Sequence, residues 1–165
     1  WAAQYWEGTI VGKEDWAGGI NGYVLRTGDN GRLSFVIASG GYWCEALSDQ
    51  VMSANRWHHV AGTFDGNSVK VFVDGLQQAS YPHTGTITPS SYPLNIGRDP
   101  SYPSRLFDGA IDEVRVWNVA RTESDIQADM YRRLSGSEPI IESVAGLHAS
   151  PKPIPRRAIP PSITG

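Results

Sequence analysis

Two consecutive hairpin signals lie between residues 56 and 75, in the segment RWHHVAGTFDGNSVKVFVDG. Apolar and polar residues alternate from Trp57 to Phe64 and again from Val69 to Val73, a period typical of strands with one buried face. An Asp-Gly pair follows each run, and this pair favours the tight turns of β-hairpins. Such a meander is marginal by itself in water, so the segment predicts further strands and a second apolar layer over one face.

The same alternation predicts which side chains share a face. Residues two apart on a strand point to the same side, so Val69, Val71 and Val73 form one β-branched face. His58 and His59 are adjacent and therefore point to opposite sides, which prevents them from chelating one metal together. We expect one histidine in the core and one on the surface.

Composition and charge limit the class of protein. The chain has 165 residues, of which 40% are hydrophobic and 19% charged, and this favours a single folded domain. Its net charge of −3, with scattered basic residues, argues against nucleic acid as a partner, and no apolar run is long enough for a membrane span. The single cysteine, Cys44, excludes an internal disulfide and is expected to be a small apolar filler. Because the sequence opens directly on Trp1, we expect a piece of a longer protein with other domains.

The rest of the chain is predicted to form strands and turns, followed by one short helix. A Gly-rich loop, residues 15–22, follows the first strand, and the helix is predicted to start near Thr122, whose hydroxyl can cap it. Residues 1–135 form the predicted domain, and residues 136–165, which contain six prolines, form a predicted tail or linker. Further strands are predicted over residues 8–13, 23–26, 33–38, 42–47, 76–80, 94–97 and 110–118.

Three ordered blocks carry a resemblance to a known family: residues 56–75, then LNIGR at 94–98, then FDGAIDEVRVWNVART at 107–122. In this order and spacing they resemble the laminin-G-like jelly-roll domains of the concanavalin A-like lectin and glucanase superfamily, over roughly residues 6–135. The resemblance implies an all-β fold, a two-sheet antiparallel jelly-roll sandwich, here with one short C-terminal helix. Compared with the family pattern, the sandwich is expected to lack its first and last strands, which would leave an exposed sheet edge.

The resemblance also implies a function. Such domains are often secreted or cell-surface, usually non-catalytic, and bind glycans or proteins, so we expect a carbohydrate-binding or adhesion module of an extracellular multidomain protein. The alternative is a structural or protein-binding scaffold without a glycan site. A glycoside hydrolase is less favoured, because it needs two carboxylates facing one cleft, whereas adjacent Asp112 and Glu113 would point to opposite faces of a strand.

Sugar binding would fall to exposed aromatic rings with polar neighbours, since a flat ring stacks on the apolar face of a pyranose. Rings in loops and polar residues beside them are the candidates, and the predicted carbohydrate-binding residues are Trp43, Tyr92, Asp99 and Tyr102, with Tyr42 and Arg98 nearby. The alternative for these residues is packing alone. Most tryptophans of a sandwich fill the core, and this is expected of Trp16, Trp57 and Trp117.

A structural calcium ion is the cofactor that the resemblance suggests, and Asp108 and Asp112 are its predicted ligands. Asp112 is in register with Val114 and Val116, so it would face the core if those valines do, and a buried carboxylate is normally paired or metal-bound. The alternative is that Asp112 accepts backbone N–H groups in the turn after Gly109.

Overall fold

The computed structural model describes residues 8–28, 30–102 and 105–133. The predicted tail, residues 136–165, lies outside these ranges, as do residues 1–7. None of the described helical structure is long and apolar enough to cross a membrane. The elements are β1 (Gly8–Gly12), β2 (Tyr23–Gly28), β3 (Arg32–Ser39), β4 (Tyr42–Val51), β5 (Val60–Phe64), β6 (Ser68–Val73), β7 (Leu76–Pro82), β8 (Asn95–Ile96) and α1 (Glu123–Asp129).

The strands form two antiparallel sheets. Five strands pair in the order β4-β3-β2-β1-β8, and three pair in the order β5-β6-β7. The chain builds β1 to β4 as successive hairpins, crosses to the second sheet at β5, and returns at β8 to pair with β1. The predicted all-β sandwich is confirmed.

The core lies between the two sheets. Val69 and Val71 of β6 are fully buried against the inner faces of β3 and β4, as the alternation predicted. Cys44 is buried in the same cluster, where burial raises the pKa of its thiol, so its predicted role as an apolar filler is confirmed. The other buried members of the cluster are Ile10, Leu25, Leu33, Phe35, Ile37, Ala46 and Met52.

The turns of the meander follow from its Asp-Gly pairs. Asp74 and Gly75 have φ values of 49° and 79°, both in the left-handed region that the two-residue hairpin between β6 and β7 requires. At the other turn, the Asp65 carboxylate accepts hydrogen bonds from the backbone N–H groups of Asn67 and Ser68, at 2.9 and 2.8 Å. These bonds fix the register of the central strand.

A histidine network ties the crossover between sheets to the β6–β7 turn. His58 Nδ1 lies 2.9 Å from Asp74 Oδ2, and His58 Nε2 lies 3.1 Å from both Oγ and the carbonyl oxygen of Ser53. The backbone N–H of His59 donates to Asp74 Oδ1 at 2.9 Å. Burial opposes ionisation of Asp74, but these hydrogen bonds outweigh it and lower the Asp74 pKa. Both histidines are half-buried, so the expected division into core and surface histidines is wrong.

Helix α1 begins as predicted. Thr122 Oγ1 accepts the backbone N–H of Asp125, and the Asp125 carboxylate accepts the backbone N–H of Thr122, which completes a capping box. Ile126 is the buried residue of the helix.

The strand predicted over residues 110–118 is not formed. Glu113 has a φ of 51°, which breaks the extended conformation, and the Asp112 carboxylate accepts the Glu113 N–H. Arg115 donates instead to the carbonyl oxygens of Asp129 and Arg132, at the end of α1. Val116 is exposed, so Asp112 does not share a buried face with it. The segment is held by the helix terminus rather than by a neighbouring strand.

Two of the three tryptophans expected in the core are on the surface. Trp57 is 66% exposed, because β5 begins only at Val60, and Trp117 is 40% exposed, because the strand that would bury it is absent. The third, Trp16, is half-buried on the side of the five-stranded sheet that faces away from the core.

The close contact of β5 with β3 gives a test of the packing. A Cβ atom added at Gly62 would lie 2.2 Å from Cγ of buried Phe35, so Gly62→Ala should lower the free energy of unfolding by about 1–3 kcal/mol. Urea denaturation measures the loss. The double variant Gly62→Ala with Phe35→Ala, which removes Cγ and Cδ2 of Phe35, should lose less than the two single losses added together, and strict additivity would contradict the contact.

Candidate functional site

The outer face of the five-stranded sheet carries polar and aromatic side chains. In the β2–β3 register Arg26 pairs with Ser34, and in the β3–β4 register Ala38 pairs with Trp43. Paired residues share a side of the sheet, and alternation places Glu45 on the same side as Trp43. This face points away from the apolar cluster between the sheets.

A loop covers part of this outer face. Residues 13–22, which we call the roof segment, extend the β1–β2 hairpin, with Asp15 N–H donating to Asn21 C=O at 2.9 Å. The Trp16 ring stacks on Trp43 with centroids 3.7 Å apart and planes inclined by 25°, and the Arg26 guanidinium lies 5.0 Å from the Trp16 ring centre. Gly22 closes the segment at a φ of 86°, where a Cβ would lie 2.0 Å from the Lys13 carbonyl oxygen. Only glycine fits there.

The loop after β8 meets the roof segment. The Trp16 backbone N–H donates to Ser101 Oγ at 3.0 Å. Asp99 is only 2% exposed, and its Oδ1 accepts the N–H groups of Ser101 and Tyr102 at 2.8 and 2.9 Å. Arg105 lies 4.2 Å over the exposed Tyr102 ring and 3.5 Å from Asp99 Oδ2. We call Trp16, Trp43 and Tyr102 the aromatic rim.

The structure therefore brings the predicted carbohydrate-binding residues to one region. Trp16 stacks on Trp43, and its backbone N–H donates to Ser101, the residue before Tyr102. The Lys13 ammonium donates to the Tyr92 carbonyl oxygen at 2.5 Å. Asp99 is buried beneath its loop, so it orders the backbone and its side chain is turned away from solvent. Of the nearby residues, Tyr42 is exposed beside Trp43, and Arg98 is exposed and bonded to Asn95.

A group of charged side chains lies under the roof segment. The Arg26 guanidinium is 3.6 Å from Glu45 Oε1, which also accepts a hydrogen bond from Ser34 Oγ at 2.5 Å. Burial lowers the pKa of Arg26, while Glu45, Glu14 and Asp99 raise it. Because these acids come from three different elements, the fold concentrates negative charge around one buried arginine.

Glu14 is the least satisfied member of this group. It is 1% exposed, and neither carboxyl oxygen reaches hydrogen-bond geometry with any described residue. Burial raises the pKa of Glu14 to about 7, and the charge of Asp99 adds to that effect, while the Glu14 backbone N–H, Arg26 and Trp16 favour the ionised form. The carboxyl group fits because Gly12 has no side chain, since a Cβ there would lie 2.1 Å from Glu14 Oε2.

The sequence interpretation missed both Glu14 and Trp16 as site residues. The sequence predicts Trp16 in the core and predicts no role for Glu14. The available signal was local: a Gly-rich loop directly after a strand carried an acid and a tryptophan two residues apart. What it could not reveal was the partner of that tryptophan on β4.

The predicted calcium ligands are not brought together with others. Asp108 and Asp112 are both exposed, and no three acidic, histidine or cysteine side chains gather as a potential metal centre in the described part of the chain. Calcium takes six to eight oxygen ligands. The two carboxylates are insufficient by themselves, so calcium stays a prediction.

The buried carboxyl group predicts an unusual pH dependence of stability. A folded-state pKa of about 7, raised from 4.5, means that the stability associated with protonated Glu14 is fully present below pH 4.5 and is lost as the pH rises through about 7. That difference corresponds to about 3 kcal/mol. Glu14→Gln keeps the shape without the charge and should be more stable than the wild type above pH 7.

The stabilities of wild type and Glu14→Gln must be compared at each pH, because the titration of His59 changes stability in the opposite direction. Burial lowers the His59 pKa, so its effect on stability improves as the pH rises through 6.5. Subtracting urea-derived stabilities of wild type and Glu14→Gln removes this common term. A constant difference across the neutral range would contradict a raised Glu14 pKa.

Two known proteins are similar to parts of this chain. Over 83 residues the chain is 35% identical to pappalysin-1 of Mus musculus, and the match covers 47% of this chain and 5% of pappalysin-1. Among solved structures, the S-layer domain-containing protein (residues 221–444) of Clostridium thermocellum ATCC 27405 is 20% identical, with a TM-score of 0.39 over 78% of this chain and 65% of that one. The chain thus spans a small fraction of pappalysin-1 and under two thirds of the S-layer chain.

The family comparison covers most of the chain. The laminin-G-type family model, described as the concanavalin A-like lectin/glucanases superfamily, matches residues 2–127. Its extent includes both sheets and most of α1. The chain belongs to the laminin-G-like family of the concanavalin A-like lectin/glucanases superfamily.

Proposed function

We propose that this chain is a non-catalytic carbohydrate-binding or adhesion module of an extracellular multidomain protein. The observation that supports this most is the aromatic rim, in which Trp16 joins Trp43 to the loop that presents Tyr102. Aromatic rings gathered at one edge suit a ligand with flat apolar faces, and sugars have such faces.

Polar groups at the rim complete the chemistry that a sugar needs. The Arg105 side chain is 36% exposed and that of Glu45 is 35% exposed, so both can reach a ligand placed against the rings. Arg105 supplies N–H donors and Glu45 supplies a carboxylate acceptor, a combination that matches vicinal sugar hydroxyls.

Burial of the acidic groups favours binding over hydrolysis. A glycosidase needs two carboxyl groups that touch the substrate on either side of the scissile bond. Glu14 and Asp99 are 1% and 2% exposed, which keeps both from a substrate bound at the rim. Glu45 remains as one accessible carboxylate of the group, and one is too few.

The proposed setting is a longer extracellular chain. The match to pappalysin-1 occupies 5% of that protein, the proportion expected of one module among several. Membership of the laminin-G-like family supports an extracellular or cell-surface location and a glycan or protein partner.

Trp43→Ala tests the binding site. Removing one ring of the stack should weaken binding to the preferred glycan by about tenfold or more, which corresponds to about 1.4 kcal/mol. A glycan array identifies the glycan class, and titration calorimetry measures the affinity. Trp57→Ala is the matched control, because Trp57 is exposed and belongs to the crossover before β5, away from the rim.

The array also separates the alternatives. Equal loss of binding in both tryptophan variants would argue against the rim as the site. A blank array from a protein that melts cooperatively would favour the structural or protein-binding scaffold. Repeating the array with calcium and with EDTA tests whether Asp108 and Asp112 hold an ion that binding requires.

A further inference from the structure

Glu14 lies at the base of the roof segment, two residues before the tryptophan that forms the rim. The space for its carboxyl group exists only because position 12 is glycine. Glu14 and Trp16 lie two residues apart in the roof segment, so a movement of the segment backbone that frees the buried carboxyl group also displaces the Trp16 ring. The state of Glu14 and the position of the Trp16 ring are therefore mechanically connected.

Burial is the main cause that makes the ionised form of Glu14 unfavourable, and nearby groups modify this effect in both directions. Arg26 of β2 is the cation that faces it, and Asp99 of the loop after β8 is the anion that faces it. Arg26 is shared with Glu45 of β4, at 3.6 Å. Arg105 contacts Asp99 at 3.5 Å but lies mainly over Tyr102. Ionised Glu14 would be a third carboxylate competing for one buried guanidinium, in a place that water does not reach.

Protonation removes the unfavourable buried charge of Glu14 without a conformational change. A neutral carboxyl group carries no charge to desolvate, so it can stay beside Gly12 with the roof segment in place. An ionised carboxylate would gain hydration by leaving, and the roof segment is the part that would move with it. Residues 17, 18 and 20 of the segment are exposed, so the segment opens more easily than the strands beside it.

We propose that Glu14 is a positioning residue of the aromatic rim and that its protonation controls ligand binding there: protonated Glu14 holds Trp16 on Trp43, and ionised Glu14 releases it. This inference rests on the proposed function only for its effect on binding. The coupling between Glu14 and the tryptophan stack stands on the contacts of the chain itself.

Circular dichroism tests the coupling without any ligand. Two stacked indoles give an exciton signal that an isolated indole does not, and Trp16→Phe identifies the part that belongs to this pair. The wild-type signal should fall as the pH rises from roughly 6 to roughly 8, because Glu14 has a pKa of about 7. Glu14→Gln should keep the full signal throughout. Glu123→Gln, the same change at an exposed position of α1, should behave as the wild type.

Gly12→Ala tests the geometry with the charge unchanged. A Cβ at position 12 would displace the flexible end of Glu14, so this variant should show the weakened stack even at roughly pH 6, where protonated wild type keeps it. A wild-type signal that does not change with pH, or a change that persists in Glu14→Gln, would overturn the proposal. So would an unaltered stack in Gly12→Ala that still melts cooperatively.

Binding then separates this inference from the proposed function. With a glycan from the array, wild-type affinity should fall about tenfold between roughly pH 6 and roughly pH 8, and Glu14→Gln should keep its low-pH affinity. A pH-dependent stack without any glycan bound would refute the carbohydrate function and leave the coupling intact. Glycan binding that is independent of pH in the wild type would refute the coupling and leave the carbohydrate function intact.

Discussion

The close approach of the two sheets at Gly62 and Phe35 is the contact on which the rest of the structure depends. It lets β5 lie flat on β3, which brings the fully buried valines of β6 against the inner faces of β3 and β4. Inward-facing apolar residues of β3, β4 and β6 are buried there. The outer face of the larger sheet buries Val24 and Val36, and it also carries polar groups such as Arg26 and Glu45.

On that outer face the sequence buries charged groups, which do not usually stabilise a fold. A carboxyl group with no bonded partner among the described residues, a buried arginine and a second buried carboxylate lie under a short loop. Each would be replaced by an apolar residue if packing were the sole requirement. Local conflicts of this kind are expected at functional sites, where stability is exchanged for a group that can change state. The aromatic rim lies on the same face, which supports the proposal that ligands bind there.

The sequence predicted the fold well because most of its information is local. Alternation, Asp-Gly turns and the Thr122 cap act within a few residues, and the strands, hairpins and helix start they predicted are observed. The strand over residues 110–118 failed because its alternation is overridden by distant groups, with Arg115 binding the end of α1. Trp43 and the loop of Asp99 and Tyr102 are both contacted by Trp16, whose stacking partner 27 positions away no local pattern could reveal.

The hydrogen bond from the Trp16 backbone to Ser101 spans 85 positions of the chain. Neighbouring hairpins can form early from contacts between adjacent segments, whereas a bond of this span must wait until the chain has crossed to the second sheet and come back. The rim is therefore assembled late, after both sheets are in place. Only chains that have completed folding would then bind the ligand. Partly folded chains would not bind it, even when their secondary structure is formed.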